Sequence, residues 1–130
     1  MNKIVLDASV LLAILNNESG TKIFFEQPDL LAGAAVSAVN LAEAHNKLVS
    51  LGMSASDAWE AATAPASEIT DFNAEQARIA GDLVRQTRAL GLSLGDRACL
   101  ALGIATKAAI YTADRTWKAL RVGVPIHVIR

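Results

Sequence analysis

At 130 residues, 52% hydrophobic but only 5% aromatic, the chain has the material for one domain, residues 1–130, around an aliphatic core. A charged fraction of 19% with a mean hydropathy of +0.32 excludes a disordered chain, and the longest uncharged stretch, Leu30 to Ala42, is too short and too polar to cross a bilayer. A single cysteine, Cys99, excludes an internal disulfide, and with no secretory pattern at the start the expected setting is a reducing cytoplasm with no membrane partner.

Lys3-Ile4-Val5-Leu6 is a short run of strand formers that ends at Asp7. Ala8 to Asn16 reads as a helix with Val10, Leu11, Ile14 and Leu15 on one face, and Thr21 to Glu26 as a second, ahead of Pro28. Ala34-Ala35-Val36 is a weak strand. Ser37 is placed to cap a helix running to about Leu51, where Gly52 ends it. Ser54 to Ala64 is helical up to Pro65, and Glu68-Ile69-Thr70 is a strand candidate. Asn73 to Leu90 reads as one long helix closed by Gly91, and Ser93 opens another that runs through Lys107. Ala109 to Thr112 is a strand, Arg115 to Leu120 a short helix, and Ile126 to Ile129 the last strand. Short strands alternating with helices predict an α/β fold, three layers with a mainly parallel central sheet.

In such sheets ligands bind at the carboxyl ends of strands. Asp7 follows its strand directly, and Asp114 comes two residues after Thr112. Glu43 lies in the second turn of its helix and Asp96 in the first turn of another, so all four acids can gather at one edge of the sheet. Each also has a plain structural explanation. Asp7 and Asp114 fit as N-caps, Ser93 with Asp96 as a capping box, and Glu43 with Lys47 as an i,i+4 surface pair. Taken together they ask for more. Two ionised carboxylates about 4 Å apart repel by ~4 kcal/mol at an effective dielectric near 20, so the group needs protons or a divalent cation. Hard oxygen ligands without a Cys/His set point to Mg²⁺ or Mn²⁺, and such ions serve phosphodiester hydrolysis.

Four segments carry a resemblance. Ile4-Val5-Leu6-Asp7-Ala8-Ser9, Ser37 through Glu43, Leu92 through Leu102 and Tyr111-Thr112-Ala113-Asp114-Arg115 with Trp117 are similar, in order and spacing, to the four motifs of PIN-domain nucleases. The chain most resembles the VapC toxins of bacterial type II toxin–antitoxin systems. That resemblance implies a Mg²⁺- or Mn²⁺-dependent endoribonuclease, homodimeric, held in check by a small cognate antitoxin. It implies catalytic and metal roles for Asp7, Glu43, Asp96 and Asp114, with Ser9 and Thr112 as supporting hydroxyls. Relatives often carry a further acid after the fourth; here Arg115, Thr116, Trp117 and Lys118 stand there, which favours one held ion and a second recruited by the RNA phosphate. Strand ends and helix starts hold side chains firmly, which makes Asp7 and Asp96 the first choices for direct ligands. Within this reading the alternatives are a housekeeping RNA-processing nuclease and a catalytically inert PIN-like binding module.

Arg97 and Arg115 each adjoin an acid, and contact with RNA phosphate or a structural pairing explains them equally. The charge is also uneven: residues 1–77 hold three lysines against ten acids, residues 78–130 nine cations against three, so the second half can offer a surface to RNA, although solvated helix faces also produce such asymmetry. His45 and His127 carry no role in this reading, and Cys99 belongs to the core. Trp117 is expected to pack rather than stack on a base, and Gly91 and Gly95 form no phosphate cradle. Phe24 and Phe25 with Leu11 and Leu15 either line an antitoxin groove or fill the core. A phospho-receiver domain would need paired acids after the first strand, and an Asp-nucleophile phosphatase an acid at Ser9; neither is present.

Overall fold

The computed structural model describes residues 3–130. Five strands, β1 (Ile4–Leu6), β2 (Ala34–Ser37), β3 (Glu68–Thr70), β4 (Ala109–Thr112) and β5 (Ile126–Val128), form one sheet in the order β3-β2-β1-β4-β5. Every pairing is parallel, with Val5 beside Ala35 on one flank and beside Ile110 on the other. Among the described residues there are eight α-helices: α1 (Ala8–Leu15), α2 (Lys22–Glu26), α3 (Pro28–Ala32), α4 (Ala38–Ser50), α5 (Ala55–Thr63), α6 (Ala74–Asp82), α7 (Val84–Thr87) and α8 (Leu94–Thr106).

The sheet is buried on both faces, which is why β1, β2 and β4 read as apolar runs rather than as alternating strands. Ile4, Leu6, Val36 and Tyr111 pack with Val10, Leu11, Phe24, Leu41 and Leu48 on one side. Val5, Ala35 and Ile110 pack with Cys99, Leu100, Leu102, Leu83 and Trp117 on the other. The three-layer α/β/α arrangement follows the sequence expectation, with a sheet that is wholly parallel. Burying the alkyl groups of these side chains stabilises the fold by roughly 1.5–3 kcal/mol for each large residue.

Three elements differ from the expectation. The stretch Asn73–Leu90 is not one helix: it breaks at Leu83 into α6 and α7, and a 3₁₀ turn over Arg88–Leu90 completes it. The Leu83 carbonyl accepts from both the backbone N–H (3.1 Å) and the hydroxyl (2.8 Å) of buried Thr87, back-bonding that bends a helix. Pro28 does more than stop α2. It occupies the first position of α3, where its missing N–H costs nothing. The turn over Arg115–Ala119 is 3₁₀ rather than α-helical.

The chain leaves β1 for β2 and β3 on one side, then returns to place β4 and β5 on the other. The order therefore reverses between β1 and β4. In parallel sheets this is the place where diverging connections leave a crevice at the strands' carboxyl ends.

Candidate functional site

Asp7 and Asp114 flank that crevice. Asp7 ends β1, and its backbone N–H donates to the Tyr111 carbonyl on β4 at 2.9 Å. It occupies the N-cap position of α1, yet its side chain makes no capping bond. The carboxylate is 5% exposed and its Oδ2 accepts instead from two hydroxyls, Ser9 Oγ at 2.6 Å and Thr112 Oγ1 at 3.2 Å. Each hydroxyl in turn accepts a backbone N–H, Ala113 onto Ser9 (2.9 Å) and Asp114 onto Thr112 (3.1 Å). A hydroxyl has one proton and a carboxylate oxygen can only accept, so each hydroxyl takes an amide on one lone pair and donates its proton to Asp7. Burial pushes the Asp7 carboxyl up from 3.8 to about 6; the Ser9 bond opposes this, while the charges of Asp96 and Glu43 add to it.

Asp96 and Asp114 serve two purposes. Asp96 completes a capping box at the start of α8: its Oδ2 accepts from Ser93 N–H at 2.9 Å, and Ser93 Oγ accepts from Asp96 N–H at 3.1 Å. Asp114 caps the 3₁₀ turn, its Oδ1 accepting from the backbone (2.9 Å) and hydroxyl (2.8 Å) of Thr116. Glu43 projects from α4, where its Oε1 accepts from Asn40 Nδ2 at 2.9 Å. The same amide nitrogen donates to the Gly95 carbonyl at 2.9 Å, so fully buried Asn40 ties α4 to the first turn of α8. Gly95 is part of the same junction, because a Cβ there would run into the Glu43 carboxylate.

The four acids line one open pocket of about 340 Å³ with Ala8, Ser9, Leu12 and Lys47. The arrangement has a common rule. Each carboxylate has one oxygen engaged by the protein, and the other, Asp7 Oδ1, Glu43 Oε2, Asp96 Oδ1 or Asp114 Oδ2, accepts no hydrogen bond among the described residues. That donor set fits a hard divalent cation, which prefers anionic oxygen. Among the described residues no three acids stand close enough to enclose an ion as they are, so closing around one requires side-chain movement.

Other sequence candidates lie elsewhere. Arg97 turns away from the pocket and donates to the Ala80 carbonyl at the end of α6 (2.8 Å). Exposed Arg115 donates through Nε to the Arg130 carbonyl (3.3 Å), pinning the end of the chain. Neither lines the pocket. Trp117 is fully buried in the core, as are Leu11, Phe24 and Cys99, whose thiol burial holds well above its usual range. Phe25 is 61% exposed, so only it remains available to a partner in any full sense. His45 meets the ring of Trp59 edge-on, and His127 stacks on Tyr111. Sequence reasoning missed the Asn40–Gly95 junction, although Asn40 sits three residues before Glu43 on the same helix face.

The family model of the PIN domain matches residues 4–123. The chain belongs to the PIN domain family. Solved structures with the same fold include VapBC2 from Rickettsia felis bound to a promoter DNA fragment, 21% identical, with a TM-score of 0.73 over 95% of this PIN domain and 96% of that chain. The VapC20 toxin of Mycobacterium tuberculosis, described as cleaving the sarcin–ricin loop, is 15% identical, with a TM-score of 0.72 over 95% and 100% of the two chains. FitAcB from Neisseria gonorrhoeae is 18% identical, with a TM-score of 0.62 over 95% and 96%. No curated protein sequence matches this PIN domain. No helix of the described residues is long and apolar enough to cross a membrane.

Proposed function

We propose that this PIN domain is a Mg²⁺- or Mn²⁺-dependent endoribonuclease and the toxin of a toxin–antitoxin pair. The observation that carries the catalytic part is the pocket in which four carboxylates each keep one oxygen free. Asp7, Glu43, Asp96 and Asp114 are the residues that would hold the ion. When bound, it supplies positive charge against the phosphodiester and lowers the pKa of water.

The chain's own groups do the rest. Ser9 and Thr112 fix the Asp7 carboxylate, so one of its oxygens is oriented before any ligand arrives. Asn40 sets Glu43 against the start of α8, and the capping box holds the backbone from which Asp96 projects. Glu43, on the helix that follows β2, and Asp114, just after β4, come from the two flanks of β1 and are the groups available to orient an attacking water. Hydrolysis by water, with no covalent enzyme intermediate, leaves a 5′-phosphate and a free 3′-hydroxyl.

The solved neighbours include toxin–antitoxin complexes, and this supports a small antitoxin as partner and a cytoplasmic setting. A homodimer belongs to the same reading. Exposed Val49, Leu51 and Met53 at the end of α4, with Trp59 on α5, provide apolar surface suited to one. The test is cleavage of bulk RNA by the purified protein with Mg²⁺, comparing wild type with Asp7→Asn and Asp96→Asn. Each substitution is expected to lower the rate at least about a hundred-fold, equivalent to ~2.7 kcal/mol of transition-state stabilisation. Undiminished cleavage by folded variants overturns the mechanism.

A further inference from the structure

Lys47 stands four residues after Glu43 on α4, the spacing and order at which a Glu–Lys pair forms on a helix surface. That pair is not made. The ion pairs of the described residues are Lys22–Glu26, Arg78–Asp82 and Arg130–Glu18, and none includes Lys47 or any pocket acid. Lys47 nevertheless lines the carboxylate pocket, and it is the only cationic residue that does so among the described residues. The one positive side chain in a pocket of four acids is bound to none of them.

A lysine serving as counter-charge to the acids would sit against a carboxylate, where the Coulomb attraction is greatest. Lys47 is exposed, one helical turn (a rise of about 6 Å) beyond Glu43 on α4, and lines the same pocket, so its unpaired ammonium is available to a polyanion that approaches the acids. Their charge opposes that approach even after an ion has neutralised part of it. We propose that Lys47 is a substrate-binding residue that holds a phosphate of the RNA strand next to the one being cleaved. This rests on the nuclease reading for the identity of the strand. A lysine suits the task as a point charge on a flexible stem that needs no fixed fork geometry.

The experiment compares wild type with Lys47→Met and Lys47→Arg, both substitutions at an exposed helix position. Steady-state cleavage of a labelled single-stranded RNA gives KM and kcat. Binding of the same RNA is followed by anisotropy over a series of KCl concentrations with Mg²⁺, for each of the three residues at position 47 in an Asp96→Asn background that does not cleave. Mg²⁺ affinity is read separately by calorimetry without RNA. Lys47→Met is expected to raise KM about ten-fold with kcat little changed, and to lower the slope of log affinity against log salt by about one phosphate contact. Lys47→Arg is expected to restore both, and Mg²⁺ affinity to stay within a few-fold throughout. An unchanged salt slope overturns the proposal, as does a Lys47→Met chain whose main change is tighter Mg²⁺ binding, the mark of a counter-charge. If wild type cleaves no RNA, the nuclease reading fails, while the binding slopes still decide the role of Lys47.

Discussion

Replacing Asp7 by asparagine should make the metal-free protein more stable at neutral pH. The folded-state carboxyl titrates at about 6 against 3.8 for an unperturbed group. Between those values the folded chain retains a proton that the unfolded chain has released, so stability falls as pH rises through this window. Above about pH 6 the full cost is present. Roughly two pH units at 1.36 kcal/mol each give about 3 kcal/mol as an upper value. Asparagine has nearly the same shape, and its carbonyl can still accept from Ser9 and Thr112, so the variant loses the charge and little else. Urea unfolding in EDTA at pH 4 and pH 7.5 measures the effect: the variant should match wild type at the lower pH and exceed it by about 1–3 kcal/mol at the higher. Adding Mg²⁺ at pH 7.5 should then stabilise wild type and leave Asp7→Asn nearly unmoved, because binding to the native state alone adds to stability. A variant less stable than wild type at pH 7.5, or a difference that does not depend on pH, would refute the view that a buried charge is being held there for a cation.

Other substitutions separate the parts of the pocket. Ser9→Ala removes a bond that lowers the Asp7 pKa, so the pH midpoint for Mg²⁺ binding should rise, as followed by calorimetry across pH 5–8. Gly95→Ala sets a methyl against the Glu43 carboxylate; cleavage should fall by ten-fold or more with only a small change in melting temperature, and unchanged cleavage would show that Glu43 is free to move aside at no cost. Ser93→Ala removes half of the capping box and should cost about 1 kcal/mol in denaturant unfolding, with activity retained in part because Asp96 keeps its place on α8.

The strands and the acids were legible because each is a local signal. Ile110-Tyr111-Thr112 and Ile69-Thr70 stand out as short runs of β-formers, and Ser93 with Asp96 announces a helix start within four residues. What the residues did not show depends on partners far along the chain. Asn40 is an ordinary helix residue until Gly95, 55 positions away, arrives to accept its second bond. The break at Leu83 follows Gly81, a weak point the periodicity passes over, and goes with a buried threonine hydroxyl that periodicity does not weigh. Arg97 adjoins Asp96 in sequence, yet neighbours on a helix diverge by about 100°, so it reaches Ala80 instead. Lys47 shows the reverse error: its spacing from Glu43 is right for a pair, and the pair is absent.

The place of β4 beside β1, at the middle of the sheet, has a consequence for the protein as it is made. A chain halted before residue 109 leaves one flank of β1 without its hydrogen-bonding neighbour and lacks both Thr112 and Asp114. The Asp7 carboxylate then has only Ser9 to hold it, and Ser9 has lost the Ala113 amide that directs its proton. The chain must therefore be made past Asp114 before the four acids can face one another, and one that stops short of β4 lacks the arrangement that holds Asp7.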